Sequence, residues 1–265
     1  MPVSLEPVDF TRLAPAPGTR MVVVGGCGGI GRRLVEIGAG LGLRLAVVDL
    51  PKSLADHPPP DGVAAYQADV RDEAQVARAF AGLDAEWGGL DVLVHLPGYT
   101  LPPTPLEEIS EAEWEDVLSV NLKSAFLAAR HGLPLLRRAG KASIVTAASG
   151  LAVHVEPGVA PYAASKAGLI ALTKALAKEN APAIRANVVA PGAVDTAFSR
   201  GGTGREPIED WFHSRAMGDD ILKTIPLGRI AVPDDVVGPI LFLAGDASRF
   251  MTGQVLYING GRLMP

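Results

Sequence analysis

The chain has 265 residues, 48% hydrophobic and 20% charged, which is enough for one large α/β domain or two small ones. A net charge of −5 leaves no basic surplus to hold nucleic acid or an anionic membrane surface. The one cysteine, Cys27, excludes an internal disulfide and points to a reducing, cytoplasmic setting. The first twenty residues lack a basic start with an apolar core, and no apolar run reaches the length of a membrane span. No metal is expected.

Residues 1–19 hold four prolines and read as an irregular arm. Arg20–Val24 is a β-branched run suited to a buried strand. It runs directly into Gly25-Gly26-Cys27-Gly28-Gly29-Ile30-Gly31 and an amphipathic helix to about Leu41. A strand, a glycine turn and a helix together let backbone amides approach a pyrophosphate and aim a helix N-terminus at it. The second strand, 44–48, ends in Asp49, 18 residues after Gly31. A carboxylate there meets the adenosine ribose and repels a 2′-phosphate, so NAD is expected over NADP. Lys52 falls on the following loop.

A third strand over 62–68 closes on Asp69-Val70, and a helix follows over 72–87. Residues 90–96 form a fourth strand. A helix around 111–122 carries Asn121 and extends as a helical region to about 138. A fifth strand, 142–148, ends at Ser149. The stretch through Tyr162 and Lys166 to Lys178 is rich in Ala, Leu and Lys and is predicted helical. A spacing of four sets Tyr162 and Lys166 on one face. An ammonium about 4 Å from a phenol is worth roughly 4 kcal/mol at an effective dielectric near 20, which lowers a tyrosine pKa by up to about three units. A sixth strand at 184–189, a long mixed segment at 192–225, a helix over Pro233–Ala244 and a last strand at 254–258 complete the chain. Alternating strands and helices, with no break in composition, call for one domain from residue 20 to 265, built on a parallel sheet with helices on both faces.

Several motifs then stand in one order: Gly25-x-x-x-Gly29-Ile30-Gly31, Asp69-Val70, Val120-Asn121, Ser149, Tyr162-x-x-x-Lys166, Pro191-Gly192-Ala193-Val194-Asp195-Thr196, and Gly253-Gln254 through Asn259-Gly260-Gly261. From about residue 20 onward the chain resembles the short-chain dehydrogenase/reductase family. The resemblance implies a Rossmann-like, doubly wound sheet of seven parallel strands in the order 3-2-1-4-5-6-7, a nicotinamide cofactor and usually a homotetramer. It assigns Tyr162 as proton acid/base and has Lys166 lower its pKa and hold the nicotinamide ribose. Ser149 would hydrogen-bond the substrate oxygen, and Asn121 would anchor a water that vents protons. The cofactor set becomes Gly25, Cys27, Gly28, Gly29, Ile30, Gly31, Asp49, Asp69, Val70, Gly98, Tyr162, Lys166, Pro191, Gly192, Val194 and Thr196.

Two departures stand out. Val24 takes the place of the family's threonine, and His95-Leu96-Pro97-Gly98 takes that of Asn-Asn-Ala-Gly. They predict an apolar junction between the ends of strands one and four, with His95 a satisfied core histidine and an amide donor lost at Pro97. The substrate wall is expected from 99–103, 151–159 and the loop 192–225. Val153, Val155, Trp211 and Phe212 there favour a partly apolar substrate. His154, His213 and Arg215 offer polar contacts, and Gly201-Gly202-Thr203-Gly204 and Met217 suggest a closing loop. The expected reaction is hydride transfer between NAD and a secondary alcohol or ketone. A 3-oxoacyl reductase-like enzyme using NADP, and a nucleotide-binding scaffold without turnover, are the alternatives. Ala- and Leu-rich faces at 125–136 and 169–177 suit helix pairing between subunits.

Overall fold

The computed structural model describes residues 9, 11–200 and 219–264, the side chains of residues 199, 200, 219 and 220 excepted. Its strands are mostly aliphatic; the inner ones bury both faces, and the two at the sheet edges are only partly buried. The strands are β1 (Arg20–Val24), β2 (Arg44–Asp49), β3 (Ala64–Gln67), β4 (Val92–His95), β5 (Ala142–Ala147), β6 (Ile184–Pro191) and β7 (Val255–Ile258). They form one seven-stranded sheet in the order β3-β2-β1-β4-β5-β6-β7, each pair parallel. Side chains alternate across it. Val22 and Val24 of β1 join one core cluster, while Met21 and Val23 join the other.

The first cluster is closed by α3 (Glu73–Trp87), α5 (Ser124–Ala139) and α6 (Ala160–Asn180). The second is closed by α1 (Gly29–Gly40) and by a later helix, Pro233–Ala244. Local signals fix the helix ends. Asp72 caps α3 by accepting from the amides of Ala74 and Gln75, and Gly88 ends it in the left-handed conformation at φ 63°. Ser110 and Glu113 form a capping box on α4 (Glu111–Leu118).

The structure corrects four details. β3 and β4 are shorter than the runs at 62–68 and 90–96. Lys52 lies on a short helix, α2 (Pro51–Asp56), rather than on a loop. Pro51 presets the first helical turn, and Lys52 bonds Asp56 four residues on at 2.8 Å. The Asn121 region is not a single α-helix, because a π-helical turn, Ser119–Lys123, separates α4 from α5. Finally, the apolar faces at 125–136 and 169–177 are largely filled within the chain itself. Leu127, Ala128, Ala129, Leu136, Leu176 and Ala177 all belong to the first core cluster, so they give no support to helix pairing between subunits.

After β6 the chain makes a 3-10 turn, Ala197–Arg200. It is next described at α7 (Asp219–Thr224), before α8 (Pro233–Ala244). The expectations for Gly201-Gly202-Thr203-Gly204, Trp211, Phe212, His213, Arg215 and Met217 lie outside the described residues, as does most of the N-terminal arm.

Candidate active site

One cleft of about 1210 Å³ runs along the carboxyl ends of the strands, on both sides of the point where the strand order reverses between β1 and β4. Gly25, at φ 78°, turns the chain out of β1. A Cβ on Gly31 would stand 2.3 Å from the Gly25 carbonyl oxygen, so the turn closes only on glycine. Helix α1 starts here with no side-chain cap and no acidic residue in its first turn. Its opening residues Gly28, Gly29, Ile30 and Gly31 face the cleft. Unused amides at a helix start attract an anion. A Cβ on Gly29 would run into Thr196, whose methyl is 2.6 Å away, which ties the glycine turn to the segment after β6. That segment is held by a bridge between Val194 and Ala231.

Asp49 ends β2 on the cleft wall, nine-tenths buried. Its carboxylate accepts from the amides of Cys27 and Leu50, each at 2.8 Å. Burial raises its pKa, and those amide bonds pull it back. Asp69, Val70, Gly98, Pro191, Gly192, Val194 and Thr196 also line the cleft. Cys27 does not. It lies buried behind the turn, its amide is bonded to Asp49, and burial pushes its thiol up to about 12. A turn that closes only on glycine, an uncapped helix start on the cleft and a carboxylate at the second strand's end all fit a dinucleotide. Gly25, Gly29, Ile30, Gly31 and Asp49 would hold it.

At the middle of the cleft stand Ser149, Tyr162 and Lys166, all buried. Ser149 follows β5 and caps a 3-10 turn. Its Oγ accepts from the Leu151 amide at 3.2 Å, which leaves its O–H to donate. Tyr162 lies one turn into α6 and packs on Phe198, with ring centroids 5.9 Å apart. Lys166 Nζ donates to the Ala147 carbonyl at 2.8 Å and sits 5.8 Å from the Tyr162 ring centre. The ammonium therefore does not produce the expected fall in the tyrosine pKa. Burial holds the Tyr162 phenol up at about 12, with Ser149 pulling the other way. Burial also brings Lys166 down to about 7.

Asn121 lies behind this wall, fully buried in the π-helical turn. Its Oδ1 accepts from the Tyr99 amide at 2.9 Å. Its Nδ2 donates to the Tyr99 carbonyl at 2.9 Å and to Ser165 Oγ at 3.0 Å. It thereby clamps the loop after β4 to α6. A Cβ on Gly98 would stand 2.9 Å from Lys166 Nζ and 3.4 Å from Asn121 Oδ1.

The junction of β1 and β4 is packed apolarly at Val24, as expected, and its tie is main-chain: the Leu96 amide donates to the Val24 carbonyl at 3.0 Å. His95 is only half satisfied. Ser124 Oγ already donates to the Val120 carbonyl, so His95 Nε2 donates to Ser124 at 2.9 Å, and the buried Nδ1 has no partner. Burial and the nearby Lys166 push the ring pKa down to about 3, which keeps it neutral. Pro97 packs against Gly25.

At the far end of the cleft, Leu151, Val159, Phe198, Ile221 and Leu263 form an apolar wall, with Glu156 and Arg262 among them. Val153, Val155 and His154 are exposed and do not line it, because the 3-10 turn after Ser149 points them outward. The expected wall at 151–159 does include Glu156, but sequence reasoning missed Arg262 and Leu263. Arg262 follows the Asn259-Gly260-Gly261 motif directly, and that was the available signal.

A family model described as Enoyl-(Acyl carrier protein) reductase matches residues 25–262. The chain is 34% identical over 251 residues to a 3-oxoacyl-[acyl-carrier-protein] reductase, FabG, of Thermotoga maritima, covering 92% of this chain and 97% of that protein. It is 33% identical over 250 residues to the cis-4-hydroxycyclohexanecarboxylate dehydrogenase of Sinomonas cyclohexanicum, covering 91% and 94% respectively. Among solved structures, a 3-ketoacyl-(acyl-carrier-protein) reductase from Brucella melitensis complexed with NADH superposes with a TM-score of 0.83 at 27% identity, covering 94% of this chain and 99% of that one. With the strand order, the cleft and these likenesses together, the chain belongs to the short-chain dehydrogenase/reductase family of oxidoreductases.

Proposed function

We propose that this protein is an NAD-dependent oxidoreductase that moves a hydride between the nicotinamide and a secondary alcohol or its ketone. The observation that carries the reading is the meeting of Ser149, Tyr162 and Lys166 on one wall of the cleft that the glycine turn and Asp49 also line. The nicotinamide, when bound, supplies or takes the hydride. Ser149, its lone pair engaged by Leu151, turns its O–H to the substrate oxygen and stabilises charge developing there. Tyr162, protonated through neutral pH, gives its proton to that oxygen as a ketone is reduced. Lys166 exchanges a proton near neutrality and restores the phenol, while Asn121, its side-chain donors spent on Tyr99 and Ser165, holds the loop that shapes this route. Asp49 favours NAD, because a 2′-phosphate brought beside a buried carboxylate is repelled.

A second reading is reduction of a 3-oxoacyl thioester with NADPH; the FabG relatives favour its substrate class, and Asp49 opposes its cofactor. A cytoplasmic homotetramer with one catalytic domain from residue 20 onward rests on the family alone. The test is fluorescence titration with NADH and NADPH, followed by a panel of ketones and alcohols that includes 4-oxocyclohexanecarboxylate and a 3-oxoacyl thioester. Tyr162→Phe is expected to lower kcat by roughly a hundred- to ten-thousand-fold while cofactor binding persists. Full activity in that variant, or binding without turnover of any substrate, defeats the mechanism; NADPH preference defeats the role of Asp49.

A further inference from the structure

We infer that Arg262 selects the substrate by pairing with a carboxylate remote from the reacting carbon, so that the substrate class is an oxo or hydroxy acid with an apolar body. The inference rests on the oxidoreductase reading above and adds to it the residue that recognises the substrate.

Among the described residues, the charged groups on the cleft are few and each has a place. Asp49, Asp69 and Arg71 stand toward the β2 and β3 ends, where Arg71 bridges Asp69 and Asp116. Lys166 is at the reacting centre, bonded to the Ala147 carbonyl. Among the described residues, the charged groups at the apolar end are Glu156 and Arg262. Among them the guanidinium makes one hydrogen bond, from Nη2 to Glu156 Oε1, and it is long at 3.4 Å. A guanidinium carries five N–H donors in a fork that matches a carboxylate through two parallel bonds. One long, end-on contact leaves that fork almost wholly unused.

The backbone beneath Arg262 is fixed. Gly260 and Gly261 take left-handed conformations, at φ 64° and 86°. Asn259 bonds across the turn: its Oδ1 accepts from Gly261 at 3.0 Å and Leu263 at 3.4 Å, and its Nδ2 donates to the Leu263 carbonyl at 2.8 Å. Leu263 fills the space over Gly150, one residue from Ser149, where a Cβ would be 2.6 Å from its methyl. The arginine side chain is 26% exposed and its partner 45% exposed. A half-exposed, end-on ion pair holds weakly. Glu156 therefore neutralises Arg262 until a better-shaped carboxylate, carried on an apolar body that fills the wall, takes the fork. Pre-organised donors in a partly dry pocket are the condition under which such a pairing gives selectivity.

The test uses 4-oxocyclohexanecarboxylate and its methyl ester, the same ring ketone with and without the charge. Binding is read by calorimetry on the full chain, with and without saturating NAD, so that no turnover is needed. The wild type should bind the acid roughly tenfold to a hundredfold more tightly than the ester. Arg262→Gln should bring the acid-to-ester ratio to near one, and Arg262→Lys should recover part of it. Glu156→Gln, which removes the competing carboxylate, should raise the ratio by about threefold. In turnover with NADH the Arg262→Gln loss should fall on KM for the acid rather than on kcat. No preference for the acid in the wild type, no binding of the acid, or an equal loss for acid and ester in Arg262→Gln would overturn the inference. Arg262-dependent binding of the acid without reduction of either ketone leaves the arginine's role standing and defeats the oxidoreductase reading instead.

Discussion

Helices α1 and α3 both start at the carboxyl edge of the sheet, and they start in opposite ways. Helix α3 is closed: Asp72 accepts from two of its first amides, and Glu73 adds negative charge. Helix α1 is open: Gly28 offers no side chain, and no acidic residue follows in the first turn. A helix start leaves several amides without a partner, and the two helices solve this differently. One satisfies itself and serves stability; the other leaves its amides facing the cleft, where on the proposed reading a phosphate would complete them.

Substitutions can break or sharpen that contrast. The largest effect is expected from Gly31→Ala, which drives a methyl against the Gly25 carbonyl. Overpacking of this kind costs about 1–3 kcal/mol, and because it spreads the turn that presents the open amides, NADH affinity should fall by up to about a hundredfold in fluorescence titration.

Next is His95, under the same turn at the end of β4. Its ring is held neutral to about pH 3 in the fold, whereas in the unfolded chain it takes a proton near 6.5. The unfolded state binds more protons between those values, so stability falls as pH drops through that window. Between pH 7 and 4.5 the wild type should lose about 2–3 kcal/mol more than His95→Asn, measured by urea unfolding. Parallel losses would mean that the ring is already protonated in the fold.

Asp49→Ser should move the ratio of NADPH to NADH affinity about tenfold toward NADPH, because it removes the buried carboxylate beside the open turn. The smallest effect belongs to the closed helix. Asp72→Ala should cost about 1 kcal/mol in thermal or urea unfolding and leave cofactor titrations as they were. A change in cofactor affinity there would erase the distinction between the two helix starts.

The order of motifs carried much of this molecule. Strand and helix identities followed from local periodicity, and Asp49 and the glycine turn followed from their adjacency to strand ends. The misses have physical reasons. The breadth of the Asn121 helix was visible but its π-helical turn was not, since no local residue type marks it. Val153 and Val155 looked like substrate contacts by composition, but the direction of the 3-10 turn after Ser149 decides where they point.

The sequence by itself determined the βαβ alternation and the strand–glycine–helix turn through short-range spacing, and singled out Ser149, Tyr162 and Lys166 through the order of motifs that the family resemblance rests on. Only the tertiary structure decided the electrostatics and the far wall. The Tyr162 phenol stays high because burial outweighs the pull of Ser149 while Lys166 points to the Ala147 carbonyl, a balance that spacing along a helix does not contain. Arg262 meets Glu156 across 106 residues of chain, a contact made only when β7 closes the sheet and its tail folds back over Gly150.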